Sequence, residues 1–203
     1  MVNNLVFTFT SPAGGGKDVC AEMLASYCEH LEMKALKMAY ADNLKMLCAR
    51  NFGYGDKKSD RYILQEFGTQ VREIEKDFWV RQVMTTVDCL RDLFEVFIIS
   101  DARYENEMQP KPYNLLYPIV NVYVKRDFDT SLSDEEYSHE SEDMANNPDL
   151  SKFHYVIDNN GSLEDTYAQI IDMVNDVLIK REKLLDEQRG IDTSLPEEGV
   201  DID

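Results

Sequence analysis

The residues most able to do chemistry lie near the N-terminus, where Ser11-Pro-Ala-Gly-Gly-Gly-Lys-Asp18 sets three consecutive glycines before a lysine and an aspartate. The run follows the β-branched and aromatic segment Leu5–Thr10 and opens a helical pattern, the context that a phosphate-binding loop requires. Small residues at Ala13, Gly14, Gly15 and Gly16 let the backbone wrap closely round a polyphosphate, so that successive N–H groups point inward. The helix N-terminus adds partial positive charge. Lys17 is placed to reach the outer phosphates. The run departs from the usual pattern twice. Ser11 stands where a first glycine is expected, and Asp18 stands where Ser or Thr normally ligates Mg²⁺. A carboxylate at 18 suits Mg²⁺, directly or through water; it also suits the first turn of a helix with no metal involved.

A second set of residues follows in Arg61-Tyr-Ile-Leu-Gln65-Glu-Phe-Gly68-Thr69-Gln-Val-Arg72, with Trp79 beyond. Steps of three and four put Arg61, Gln65, Thr69 and Arg72 on one face of a continuous helix. Two guanidinium groups, an amide and a hydroxyl suit a small anion bearing a hydrogen-bonding ring. Spacing alone favours a solvated face with Glu66, Glu73 and Glu75 as partners, and Trp79 by itself reads as core. The apolar run Phe94–Ser100 ends in Asp101-Ala-Arg103, and an acidic residue there lies at the ligand edge of an α/β sheet. Asp101 suits water-mediated Mg²⁺ binding, a substrate hydroxyl or a strand-end salt bridge, and Arg103 suits a phosphoryl group. Lys125 and Arg126 end the next strand, either at the start of a mobile lid or as ordinary surface cations.

The elements that must position these groups alternate between strand and helix. Strands are predicted at Leu5–Thr10, Ala35–Tyr40, Phe94–Ser100, Ile119–Lys125 and Tyr155–Asp158. Helices are predicted at Lys17–Met33, Asn43–Arg50, Arg61–Phe67 and Val71–Leu93 around a break at Gly68, at Ser131–Met144, and at Ser162–Lys180 with Ser162 as cap. Such alternation implies a parallel sheet covered on both faces. One domain is expected over residues 1–180. Residues 181–203 carry three basic residues against eight acidic ones and read as a disordered tail.

Composition narrows the partners. The 203 residues carry a formal charge of −18, which disfavours nucleic acid and an anionic membrane surface, and with them a nucleic-acid-stimulated ATPase. No apolar run suggests a membrane span, and Met1–Thr10 lacks the basic flank of a signal peptide. Cys20, Cys28, Cys48 and Cys89 form no CxxC pair and read as reduced thiols in a cytoplasmic protein.

Taken together, the chain resembles the bacteriophage deoxynucleoside monophosphate kinases over about Leu5 to Asp176. The matching pieces are Gly-Gly-Lys-Asp18, Lys45, Arg61-x-x-Leu-Gln-x-x-Gly-Thr69 with Arg72 and Trp79, Asp101-x-Arg-Tyr-x-Asn-Glu107, His139-Glu-Ser-Glu142, and Val156-Ile-Asp-Asn-Asn-Gly-Ser-Leu163. The resemblance implies a three-layer P-loop NTPase fold, ATP and Mg²⁺, and γ-phosphoryl transfer to a deoxynucleoside monophosphate. It implies that Gly14 to Asp18 hold ATP. Lys45, Arg61, Gly68, Thr69, Trp79, Asp101 and Arg103 would line the monophosphate pocket, with Arg72 and Arg126 as further contacts and Asn159 and Gly161 near the adenine. Lys17 and Arg103 are the candidates to stabilise the transferred charge. Residues 125–147 are the candidate lid, the cytoplasm of a host the expected compartment, and a homodimer is allowed. The alternatives are a kinase of the dephospho-coenzyme A or phosphomevalonate type and a non-catalytic nucleotide-binding module.

Overall fold

The structure, a computed structural model, describes residues 4–53, 61–127 and 139–189. Its centre is the five-stranded sheet β1 (Leu5–Thr10), β2 (Ala35–Met38), β3 (Val96–Ile99), β4 (Ile119–Lys125) and β5 (Tyr155–Asp158). The strand order is β2-β3-β1-β4-β5, and every neighbouring pair is parallel. The helices are α1 (Lys17–His30), α2 (Ala41–Phe52), α3 (Arg61–Ile74), α4 (Phe78–Leu90), α5 (Glu105–Met108), α6 (Glu140–Asn146) and α7 (Leu163–Arg189).

Strand periodicity builds the layers, because successive side chains point to opposite faces. Leu5, Phe7, Phe9, Val96 and Ile98 face one way and pack with Cys20, Leu24, Ile170 and Val174 of α1 and α7. Val6, Phe97 and Ile99 face the other way and pack with Val80, Val83, Met84 and Val87 of α4. The result is the three-layer α/β fold expected of a P-loop kinase. A smaller core of Leu44, Cys48 and Trp79 joins α2, α3 and α4 beside the main domain. Among the described residues, no helix is long and apolar enough to cross a membrane. Cys20, Cys28 and Cys48 are buried, Cys89 is exposed, and all four are free thiols.

Several predicted boundaries move. Helix α3 runs unbroken through Gly68, and the interruption falls at residues 75–77, before α4. The glycine is there for packing. A Cβ at 68 would meet Leu44 Cδ2 at 3.2 Å and Arg72 Nη1 at 3.3 Å, so its absence lets α2 and α3 approach. Strand β2 stops at Met38 because the next residues turn to start α2, where Asp101 captures the N–H groups of Tyr40 and Ala41. Helix α1 ends at His30, where Glu32 takes a left-handed conformation with φ 59°. Helix α7 continues to Arg189, past the expected end at Lys180, so the first part of the expected tail is helical. Its start is as expected: Ser162 Oγ accepts from the Asp165 N–H at 3.1 Å, and Asp165 Oδ2 accepts from the Ser162 N–H at 3.2 Å. Of the expected acidic helix and lid, residues 128–138 lie outside the described residues, and Glu140–Asn146 is helical.

Candidate active site

The glycine loop joins β1 to α1 across the C-terminal edge of the sheet, where parallel α/β folds place their ligands. Gly14 and Gly16 have φ of 88° and 98°, values that L side chains rarely adopt. At Gly16 the need is also steric, since a Cβ would lie 2.2 Å from Asn159 Nδ2. That amide donates to the Gly15 carbonyl at 3.0 Å, and Asn159 Oδ1 accepts from Thr166 Oγ1 at 3.1 Å. Asn159 therefore braces the loop from behind. No side chain caps the start of α1, so its first N–H groups are directed at the loop.

Lys17 and Asp18 follow at once. Lys17 Nζ donates to Asp18 Oδ2 at 2.9 Å, with Lys17 mostly covered and Asp18 more than half exposed. Burial pushes the Asp18 carboxyl up. The Lys17 ammonium, the Ser100 hydroxyl and Lys37 outweigh it and hold Asp18 below the usual carboxylate range. Asp18 thus stays an ionised oxygen donor beside the loop, which fits the one or two carboxylates through which proteins usually hold Mg²⁺ next to phosphates. Asp101 fits less well as a ligand. Its Oδ1 accepts from the Tyr40 N–H at 2.6 Å and its Oδ2 from the Ala41 N–H at 2.9 Å, so both oxygens anchor the start of α2. Among the described residues, no group of three or more His, Cys, Asp or Glu is arranged for a metal.

Lys17 and Asp18 open onto a cleft whose far wall carries Lys45, Arg61, Gln65, Arg72, Asp101 and Arg103, with Tyr40, Leu44, Leu64 and Trp79 as its apolar part. The cleft therefore gathers nine of the expected site residues. Gly68 and Thr69 do not line it: Gly68 lies beneath, its carbonyl accepting from Trp79 Nε1 at 3.2 Å. Trp79 is buried edge-to-face against Phe78 and Phe67, with ring centroids 4.9 and 6.4 Å away, which makes it a wall of the small core. Arg126 is exposed at the end of β4, and Asn159 sits behind the loop; neither lines the cleft.

Two glutamates organise the arginines, and neither was assigned a role from sequence. Glu107, 2% exposed, accepts from the Arg103 N–H at 2.7 Å and the Tyr104 N–H at 3.2 Å through Oε2, and from Arg72 Nη2 at 3.3 Å through Oε1. Arg72 also stacks on the Tyr104 ring, 3.9 Å from its centroid. Burial, helped by nearby Asp101 and opposed by Arg72, pushes the Glu107 carboxyl up to about 7. Glu142 reaches in from α6, and its Oε1 accepts from Arg61 Nη2 at 2.5 Å and from Arg103 Nη1. Burial disfavours the Arg103 cation, but Glu142 outweighs it, and the net effect raises the guanidinium pKa. Tyr104, Ser100 and His139 complete the lining. The available signal was the motif Asp101-Ala-Arg-Tyr-Glu-Asn-Glu107, in which a carboxylate four residues after an arginine can fold back on its backbone.

The sequence profile of a family described as deoxynucleotide monophosphate kinase matches residues 16–170. None of the curated proteins compared with the chain matches it. Among solved structures, the dephospho-CoA kinase from Campylobacter jejuni superposes with a TM-score of 0.51 at 12% identity, over 86% of this chain and 96% of that one. A cysteine-to-alanine mutant of the Mycobacterium tuberculosis APS kinase CysC superposes with a TM-score of 0.49 at 12% identity, over 86% of this chain and 99% of that one.

Proposed function

The chain belongs to the deoxynucleotide monophosphate kinase family, and on that premise we propose that it transfers the γ-phosphoryl group of ATP to deoxynucleoside monophosphates, giving the diphosphates used as DNA precursors. The observation that carries the reading is a cleft in which Lys17 and Asp18, the residues that directly follow the glycine loop, share a lining with Arg61, Arg72, Arg103 and Lys45. A nucleotide hydrolase needs a site for one polyphosphate; cations on the opposite wall supply a second anionic partner with its own seat.

The residues divide the work along that line. Loop N–H groups and the start of α1 hold the donor phosphates, and Lys17, released from Asp18, neutralises charge on the group being transferred. Asp18 would hold Mg²⁺, which would supply Lewis-acid stabilisation of the charge on the donor phosphates. Arg103 and Arg61 grip the acceptor's phosphate and Arg72 its flank, so that acceptor and donor oxygens meet in line. The acceptor is already an anion, so no residue need act as a strong general base. Leu44, Leu64 and Gln65 are placed for the nucleoside.

The test is ADP release measured with each deoxy- and ribonucleoside monophosphate in turn, with dephospho-coenzyme A and phosphomevalonate as further acceptors. The proposal expects at least one deoxynucleoside monophosphate to be preferred. Turnover only with a non-nucleotide acceptor, or ATP binding with no acceptor-dependent ADP, sinks it.

A further inference from the structure

Glu142 stands apart from the other charged residues of the cleft. It is only 1% exposed, and it contributes a single oxygen, Oε1, to two guanidinium groups from different elements: Arg61 at the start of α3 and Arg103 in the loop after β3. Its other oxygen, Oε2, is buried with no hydrogen-bond partner among the described residues. A carboxylate withdrawn from water is stable only when its lone pairs are well satisfied, and a half-satisfied one is a poor permanent occupant. Arg61 and Arg103 are also the pair assigned above to the acceptor's phosphate, and their side chains keep 17% and 23% of their exposure toward the cleft.

We propose that Glu142 is an affinity-setting residue for the acceptor: its carboxylate occupies the seat of the acceptor's phosphate between Arg61 and Arg103, and the acceptor binds by exchanging with it. The inference rests on the kinase reading above and extends it. A phosphate monoester has three terminal oxygens and two charges, so it can engage both guanidiniums in the bidentate manner that one shared carboxylate oxygen does not. The exchange leaves the two cations paired with an anion both before and after the acceptor binds. It also weakens the apparent affinity of any anion by the fraction of molecules in which the seat is open. The penalty is the same for every anion that displaces Glu142, whatever its charge. If Glu142 stayed beside the bound anion, it would repel a dianion more than a monoanion.

The test uses Glu142→Gln, which keeps the shape and removes the charge, with the glycine loop saturated by ADP. Affinities are measured calorimetrically for inorganic phosphate, thymidine 5′-phosphate and thymidine 5′-sulfate, the last being a singly charged isostere of the second. The expected result is that all three bind about tenfold more tightly, by one common factor, as loss of a seated competitor requires. Unchanged or weaker binding would show that Glu142 merely orders the arginines and would overturn the proposal. Tightening of the phosphate without the sulfate would overturn it too, because Glu142 would then remain beside the bound anion. If inorganic phosphate tightens while neither nucleotide binds to either protein, the seat is upheld and thymidine is refuted as the acceptor's nucleoside. Glu142→Asp covers the case in which the glutamine variant does not fold. It keeps the charge but shortens its reach, so the tightening should persist at a smaller size, and its absence counts against exchange.

Discussion

The two sides of the cleft are built by opposite means. The proposed donor side is nearly continuous in sequence: Ser11 to Asp18 supply the loop, the helix start, the lysine and the carboxylate, and Asn159 braces them from far along the chain. Its binding groups are main-chain N–H groups held by left-handed glycines, so few side chains need to be exact. The proposed acceptor side is assembled from α2, α3, the β3–α5 loop and α6, and its arginines arrive already paired with buried glutamates. A backbone cradle is rigid and almost charge-free until its ligand arrives. A guanidinium cluster must be neutralised in advance or it will not assemble, which is why Glu107 and Glu142 accompany Arg61, Arg72 and Arg103.

The contrast is broken most severely at Lys17. Lys17→Ala should leave the fold intact, since among the described residues the side chain pairs with its exposed neighbour Asp18. It should lower kcat by roughly 10³, the size expected when a group that stabilises transition-state charge is removed. Initial rates with saturating ATP and the best acceptor decide it; a rate within a few-fold of wild type removes Lys17 from the chemistry. Arg103→Ala comes next. It should lower kcat/KM for the acceptor by roughly 10² and leave the KM for ATP nearly unchanged. An equal loss for both substrates would mean that the two sides are not separable.

Glu107 sharpens the contrast through pH, because among the described residues it is the carboxyl displaced furthest upward. Its carboxyl is pushed from 4.5 to about 7 in the folded protein. Between those values the native state holds a proton that the unfolded chain has lost, so stability falls as pH rises from about 4.5 to about 7 and levels off above. The contribution is on the order of 3 kcal/mol at full extent. Denaturant unfolding at a series of pH values should show this slope, and Glu107→Gln should flatten it. An unchanged slope in the variant would assign the pH dependence to other carboxyls.

The same division explains what the sequence made readable. The strand–glycine–lysine–helix run is local, so the loop and the parallel α/β fold followed from residues in order. The continuous apolar run Leu5–Thr10 marked a strand buried on both faces. The acceptor wall was only partly readable. Arg61, Gln65 and Arg72 could be placed on one face, but whether that face met solvent or a cleft depended on Glu142, far along the chain, and Glu107. Gly68 misled in a specific way. A glycine inside a helical pattern signals a break when only backbone freedom is considered, and its packing against Leu44 is invisible before α2 and α3 are brought together.

Gly68 also gives the smallest and most discriminating change. Gly68→Ala should gain about 1 kcal/mol from helix propensity. Against this stand the new methyl's contacts with Leu44 Cδ2 at 3.2 Å and Arg72 Nη1 at 3.3 Å. Both are side-chain ends that can give by a few tenths of an ångström, so net stability should change by less than about 1 kcal/mol. The two displacements differ in consequence. Moving Leu44 repacks a small apolar core, whereas moving Arg72 shifts a guanidinium that stacks on Tyr104 and pairs with Glu107. The acceptor KM should therefore rise about three-fold while thermal stability and the KM for ATP stay near wild type. If stability falls and KM does not move, the glycine serves only the packing of α2 on α3, and Arg72 is not poised against the acceptor.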